Sequence, residues 1–233
     1  MASSAARLDR LEASLGLAFS DTGLLKESLT HRSYLNENPR WSPRHNERLE
    51  YLGDAVLELV VSDDLYRNYP DSDEGELTAV RAALVNYQSL ARMATTLELG
   101  AYVRMSRGES RDTGRAREVI LANAMEAVIG ALYLDGGMAP VTALVQRHLL
   151  GQVDRILATK SYKDPKSALQ ESVQQLERVT PTYRVLAEDG PAHQRVFSVG
   201  VYVGEALLAE GRGASKQDAE VEAAEKALSA RGA

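Results

Sequence analysis

The chain has no cysteine in its 233 residues. Disulfides, thiolate nucleophiles and cysteine-ligated zinc are thereby excluded, and a reducing compartment suits it. Histidine is scarce, with four copies, and no Ser/His/Asp or Cys/His pattern can be assembled around them. Positive charge is also lacking. Net charge is −6 with a pI near 5.4, whereas nucleic-acid-binding domains are usually basic. The halves do not differ: residues 1–163 carry 19 Lys+Arg against 22 Asp+Glu, and residues 164–233 carry 8 against 11. Any grip on a polyanion must therefore come from local clusters. Arg104, Arg107, Arg111, Arg115 and Arg117 form one, diluted by Glu109, Asp112 and Glu118. Its alternative reading is a solvated, mobile basic loop. Residues 1–6 lack a basic segment leading into an apolar core, so no signal peptide is expected. No apolar run approaches the length of a membrane span. The expected location is the cytoplasm.

What is present centres on His45-Asn46-Glu47-Arg48-Leu49-Glu50-Tyr51-Leu52-Gly53-Asp54-Ala55-Val56-Leu57. Glu47, Glu50 and Asp54 stand at i, i+3 and i+7, within roughly 60° of one another on a helix. Further along, that face turns apolar at Leu57, Val61 and Leu65, and the opposite face carries Leu49, Leu52, Val56, Leu59 and Val60. A helix apolar nearly all round is a central one, and carboxylates on it need partners. Spacing alone leaves two candidates: a hard divalent cation, which takes oxygen ligands, or arginines. A second helix over 118–134 is interrupted only by Asn123 and Glu126, neighbours at i and i+3. Two such helices suggest one shared site, although spacing does not show that they touch.

The remaining elements follow from periodicity and punctuation. Helices are predicted over 7–18, 23–37, 46–68, 76–95 and 138–158. His31, in the second, has no nucleophile partner, so a structural or substrate-positioning role is expected. After a short linker the character changes. A helix over 165–178 precedes strands at Thr182–Glu188, Arg195–Val203 and Ala206–Glu210, and Ser215 with Asp218 caps a last helix.

Asn46-Glu47-Arg48-Leu49-Glu50-Tyr51-Leu52-Gly53-Asp54 resembles the signature of the ribonuclease III family, and Leu29-Thr30-His31-Arg32-Ser33 resembles the segment preceding it. Leu169-Gln170-Glu171, Gly190-Pro191-Ala192-His193 and Gly213-Ala214-Ser215-Lys216-Gln217-Asp218-Ala219-Glu220 resemble the double-stranded-RNA-binding domain. The resemblance runs from about residue 7 to about residue 230. It implies an all-α endonuclease domain (1–155), a linker (156–163) and a small α+β domain of order α-β-β-β-α (164–233).

The implied activity is metal-assisted hydrolysis of double-stranded RNA to 5′-phosphate and 3′-hydroxyl ends, in processing of rRNA and mRNA. The resemblance makes Glu50, Asp54, Asn123 and Glu126 the ligands of Mg²⁺, which Mn²⁺ can replace, with Asp54 and Glu126 catalytic. It makes Gln170, Glu171, His193, Lys216 and Gln217 RNA contacts. Arg107 and Arg111 are candidates for the backbone near the cut, and Glu47 and Glu74 for the edge of a homodimer contact and substrate channel. No membrane partner is implied. Two positions depart from the family pattern. Asn123 stands where Asp is usual and brings no charge to the metal. Gln217 stands where a second Lys or Arg is usual, so a weaker, less salt-dependent RNA grip is expected. A double-stranded-RNA-binding regulator with a catalytically poor nuclease fold is the rival that Asn123 favours.

Overall fold

The structure is a computed structural model that describes residues 4–160, 162, 164–191 and 195–231. It divides into two compact units, Met1–Tyr162 and Lys163–Ala233.

The first unit is helical: α1 (Ser4–Leu15), α2 (Thr22–Ser28), α3 (Arg32–Glu37), α4 (Glu47–Asn68), α5 (Glu74–Val85), α6 (Tyr87–Thr96), α7 (Arg107–Ser110), α8 (Arg115–Gly136), α9 (Met138–His148) and α10 (Val153–Thr159). Helices α4 and α8 are central. Leu57, Val61 and Leu65 of α4 and Met125, Ile129 and Leu132 of α8 are fully or almost fully buried. By length and composition α8 could cross a membrane, yet 61% of its most apolar stretch is buried inside the unit. The pattern that makes it a core helix is the one that makes it pass as a span.

Three predicted helices are each broken in two. The stretch 23–37 stops at Leu29, because Thr30 pairs with Arg104 in a bridge and His31 becomes the N-cap of α3. The stretch 76–95 is interrupted at Asn86, whose side chain accepts from the Ser89 N–H and starts α6. The stretch 138–158 passes through a single 3₁₀ turn at Leu150–Gln152. In each case a specific turn overrides an uninterrupted apolar period. Helix α10 also extends through Thr159, with Ile156 in the core, into the stretch expected to be linker. The Arg-rich stretch is partly ordered: it contains α7, and Arg115 and Arg117 already belong to α8.

The second unit is α11 (Pro165–Glu177), β1 (Thr182–Asp189), β2 (Val196–Val203), β3 (Ala206–Gly213) and α12 (Lys216–Arg231). Asp164 caps α11 and proline occupies its first turn. The strands form an antiparallel sheet in the order β1-β2-β3. Leu169 and Val173 of α11, Val201 and Val203 of β2, and Ala223, Ala224 and Ala227 of α12 close its core. Glycine is required at 211 on β3: a Cβ there would fall on the backbone of Ala219 and Ala223, so strand and helix are already in backbone contact. His193 lies outside the described residues.

Candidate active site

The site begins with two glycines. A Cβ on Gly53 of α4 would overlap the Glu126 carbonyl of α8, and one on Gly130 would overlap the Leu49 carbonyl. The helices thus cross with backbones touching, which no larger residue permits. At this crossing Glu50 and Asp54 come together with Asn123 and Glu126.

The carboxylates feel one another. Burial, then the charges of Asp54 and Glu50, push the Glu126 carboxyl up to about 7. Burial, Glu47 and Asp54 also raise Glu50, while the Asn123 side chain, hydrogen-bonding toward it, works the other way. Among the described residues, none of Glu50, Asp54 and Glu126 forms an ion pair with Lys, Arg or His. Nor are three His, Cys, Asp or Glu side chains there drawn to ligating distance of one point. The acids are close enough to act on one another through charge. An all-oxygen donor set with uncompensated negative charge fits a hard divalent cation, and arginine-paired structural carboxylates are not what is found.

Glu47 turns outward, 3.5 Å from Arg32 and 3.7 Å from His45. Glu74 is exposed in the first turn of α5, after the N-cap Asp73, where negative charge suits the helix dipole. Glu47 still acts on Glu50 through its charge but is not among the groups that shift Glu126, and Glu74 is among the causes for neither.

Two features escaped the sequence reading. Asn46 is buried, its N–H donating to the Thr30 carbonyl and its side-chain amide to the Ser28 carbonyl, and this pins the start of α4. Glu109, taken as a diluent of the basic loop, is instead a hub. Its carboxylate accepts from the hydroxyls of Ser33 and Ser106 and lies 3.1 Å from His31 Nδ1. Burial alone would raise it, but these contacts hold it below the usual carboxylate range. His31 Nδ1 thus stands between two partners: unprotonated it accepts from the Ser33 N–H and caps α3, and protonated it donates to Glu109. A clue lay in the hydroxyls flanking His31 and Glu109, but spacing does not reveal a contact between residues 76 positions apart.

In the second unit Ser215 caps α12: its hydroxyl accepts from the Asp218 N–H and donates to the Asp218 carboxylate. Lys216 is the first helical residue, so a cation stands beside N–H groups that suit phosphate. Its ammonium lies 3.3 Å from Glu188, which Arg195 also approaches at 3.6 Å. Gln217, Gln170 and Glu171 are exposed, as are Arg107 and Arg111 in the first unit.

Comparison with known proteins matches these two units. A family described as Ribonuclease-III-like covers residues 21–153, and one described as Double-stranded RNA binding motif covers residues 165–230. The chain is 46% identical to a protein named Ribonuclease 3 from Pelotomaculum thermopropionicum, over 95% of this chain and 92% of that one. It is 49% identical to Ribonuclease 3 from Symbiobacterium thermophilum, over 92% and 90%. The nuclease domain of ribonuclease III from Campylobacter jejuni superposes with a TM-score of 0.55 at 41% identity, over 60% of this chain and 94% of that one. With both units matched in order and nearly the full length aligned, the chain belongs to the ribonuclease III family, the endoribonucleases of double-stranded RNA.

Proposed function

We propose that Glu50, Asp54, Asn123 and Glu126 hold a divalent cation, Mg²⁺ with Mn²⁺ as substitute, at the point where α4 crosses α8. The observation that carries this reading is three carboxylates gathered where α4 crosses α8, of which Glu126 and Glu50 are raised first by burial and then by neighbouring charge, with no Lys, Arg or His ion-paired to them among the described residues. When bound, the ion supplies an acidified water and offsets charge on the scissile phosphate. Glu126, half-buried and raised to about 7, would hold the cation as a carboxylate, so binding there would release the proton it carries in part at neutral pH. Arg107 and Arg111 bind the RNA backbone. Lys216 and the start of α12 take phosphates, and Gln170, Glu171 and His193 address the minor grooves by shape. Glu188 must release Lys216 as phosphate arrives.

Two copies act together, one per strand, leaving 5′-phosphates, 3′-hydroxyls and short 3′ overhangs. Tyr51, 82% exposed, lines a groove with Leu24, Leu52 and Leu134, edged by Glu27, Glu47 and Arg48, an exposed apolar surface that suits a contact between copies. The Campylobacter jejuni relative has a described region involved in dimer formation in its nuclease domain. The setting is rRNA and mRNA processing and decay in the cytoplasm.

The test is a long RNA duplex incubated with full-length protein while Mg²⁺, then Mn²⁺, is titrated, with single-stranded RNA alongside. Metal-dependent, duplex-specific cutting with paired, offset cuts is expected. Binding without cutting in either metal would instead identify the regulator that Asn123 favours. In the same titration, Asn123→Asp is expected to lower the Mg²⁺ needed for half-maximal cutting about ten-fold, because it adds one ligand charge. Without metal it is expected to destabilise the protein by about 1 kcal/mol, since a fourth carboxylate adds repulsion that Asn123 avoids. An unchanged Mg²⁺ midpoint would remove Asn123 from the ligand set.

A further inference from the structure

The turn that carries Arg107 and Arg111 is held at several points. Glu109, between the two arginines, accepts from the Ser33 and Ser106 hydroxyls, and His31 Nδ1 lies 3.1 Å from the same carboxylate oxygen. The Ser106 N–H donates to Ser33 Oγ at 3.0 Å, and the Arg107 N–H lies 3.3 Å from both oxygens of the Glu37 carboxylate. Upstream, the Arg104 N–H donates to the Leu29 carbonyl at 2.8 Å, and its carbonyl accepts from the His31 N–H at 2.9 Å. The guanidinium of Arg104 sits 4.6 Å from the centre of the Trp41 ring.

The other side of the same segment reaches the catalytic helix. The Thr30 carbonyl accepts from the Asn46 N–H, and the Asn46 carbonyl accepts from the Glu50 N–H, each at 2.9 Å. Residues 29–33 are therefore one strut. One edge grips the arginine turn and the other grips the first turn of the helix bearing Glu50 and Asp54. A solvated loop carrying the same arginines would need none of these bonds.

We propose that Glu109 is a positioning residue for the cleavage reaction: through the Ser33 and Ser106 hydroxyls it locks the 106–111 turn, so that Arg107 and Arg111 meet the RNA backbone at a set distance from the acidic cluster. This rests on the assignment of Arg107 and Arg111 as backbone contacts. The sign of the effect separates a positioning role from that of a bystander. An acid lying idle among arginines repels a polyanion, so its removal strengthens RNA engagement. An acid that orders the arginines does the reverse.

The experiment measures kcat/KM of the full-length protein on a duplex against salt concentration, with Mg²⁺ saturating. Variants are Glu109→Ala, Glu109→Gln, Ser33→Ala, Arg107→Ala with Arg111→Ala, and the last pair combined with Glu109→Ala. Thermal unfolding verifies that each folds. Glu109→Ala is expected to lower kcat/KM about five- to ten-fold and make the salt slope shallower by about one, the value of one phosphate contact. Glu109→Gln, still an acceptor for both hydroxyls, is expected to recover most of the loss. Ser33→Ala is expected to reproduce part of it with Glu109 in place. In the arginine-free background, Glu109→Ala is expected to add nothing.

A kcat/KM that rises or stays level in Glu109→Ala overturns the proposal, as does a full additional loss in the arginine-free background. A wild-type salt slope in the arginine pair itself overturns the assignment of the turn as an RNA contact, and the proposal with it. A reduced slope in that pair beside a wild-type slope in Glu109→Ala overturns the proposal alone.

Discussion

Glu126→Gln is expected to abolish duplex cutting and, in metal-free solution at neutral pH, to make the nuclease unit more stable. The two effects have one cause. In the folded protein the carboxyl is pushed from an ordinary 4.5 up to about 7, by burial first and then by Asp54 and Glu50. Between those values the folded state binds more protons than the unfolded one, so stability falls as pH rises through that window. Above about 7 the cost of the charged Glu126 is fully present. Glutamine keeps the shape and removes the charge.

The gain, discounted for the side chain's partial contact with water, is on the order of 1 kcal/mol, or about 2–4 °C in Tm. In chelator, wild-type Tm should fall relative to the variant between pH 5 and pH 8. Saturating Mg²⁺ should reverse the order if Glu126 is a ligand as proposed, because only the wild type then keeps all four donors. Cutting should fall by about a thousand-fold or more, several kcal/mol of transition-state stabilisation. A difference in Tm independent of pH would show that Glu126 does not titrate in this window.

Gly53→Ala is expected to be harmful where helix propensity alone says the opposite. In an exposed helix interior, alanine gains about 1 kcal/mol over glycine. Here the added Cβ would overlap the Glu126 carbonyl, and neither backbone can move aside without parting α4 from α8. Overpacking of this kind costs about 1–3 kcal/mol. The larger consequence is chemical, since the separation shifts Glu50 and Asp54 relative to Asn123 and Glu126. A displacement near 1 Å costs about a hundred-fold in rate. Gly130→Ala should behave in the same way, its Cβ overlapping the Leu49 carbonyl. Gly151→Ala is the control, because nothing lies within 4 Å of its Cβ position. Denaturant unfolding and the cleavage rate check both quantities. Full stability and rate in Gly53→Ala would mean that the helices do not need their close approach.

Both predictions concern residues whose importance differed in visibility. Glu126 could be found by spacing, as an acid in a run of apolar residues. The glycines could not be read that way. In a periodic pattern Gly53 and Gly130 are weak points of two helices, and only a second backbone lying against each turns weakness into requirement. Asn123 was visible as a departure from the family pattern, but its hydrogen bonding toward Glu50 was not.

By itself the sequence determined the α4 and α8 core helices, the α-β-β-β-α order, the Ser215 cap and the polar interruptions of α4 and α8 at Glu50, Asp54, Asn123 and Glu126. All of these depend on local periods and local hydrogen bonds, which a chain carries in its own spacing. Tertiary structure alone decided the rest. It broke the predicted helices at Thr30 and Asn86, and tied Glu109 to Ser33 across 76 positions. It paired Glu47 with Arg32 and His45, left Glu74 exposed at the start of α5, and brought α4 and α8 together at Gly53 and Gly130. The reason is physical. A contact between distant segments depends on which surfaces fit when the chain closes, and steric fit between two backbones leaves no period in either one.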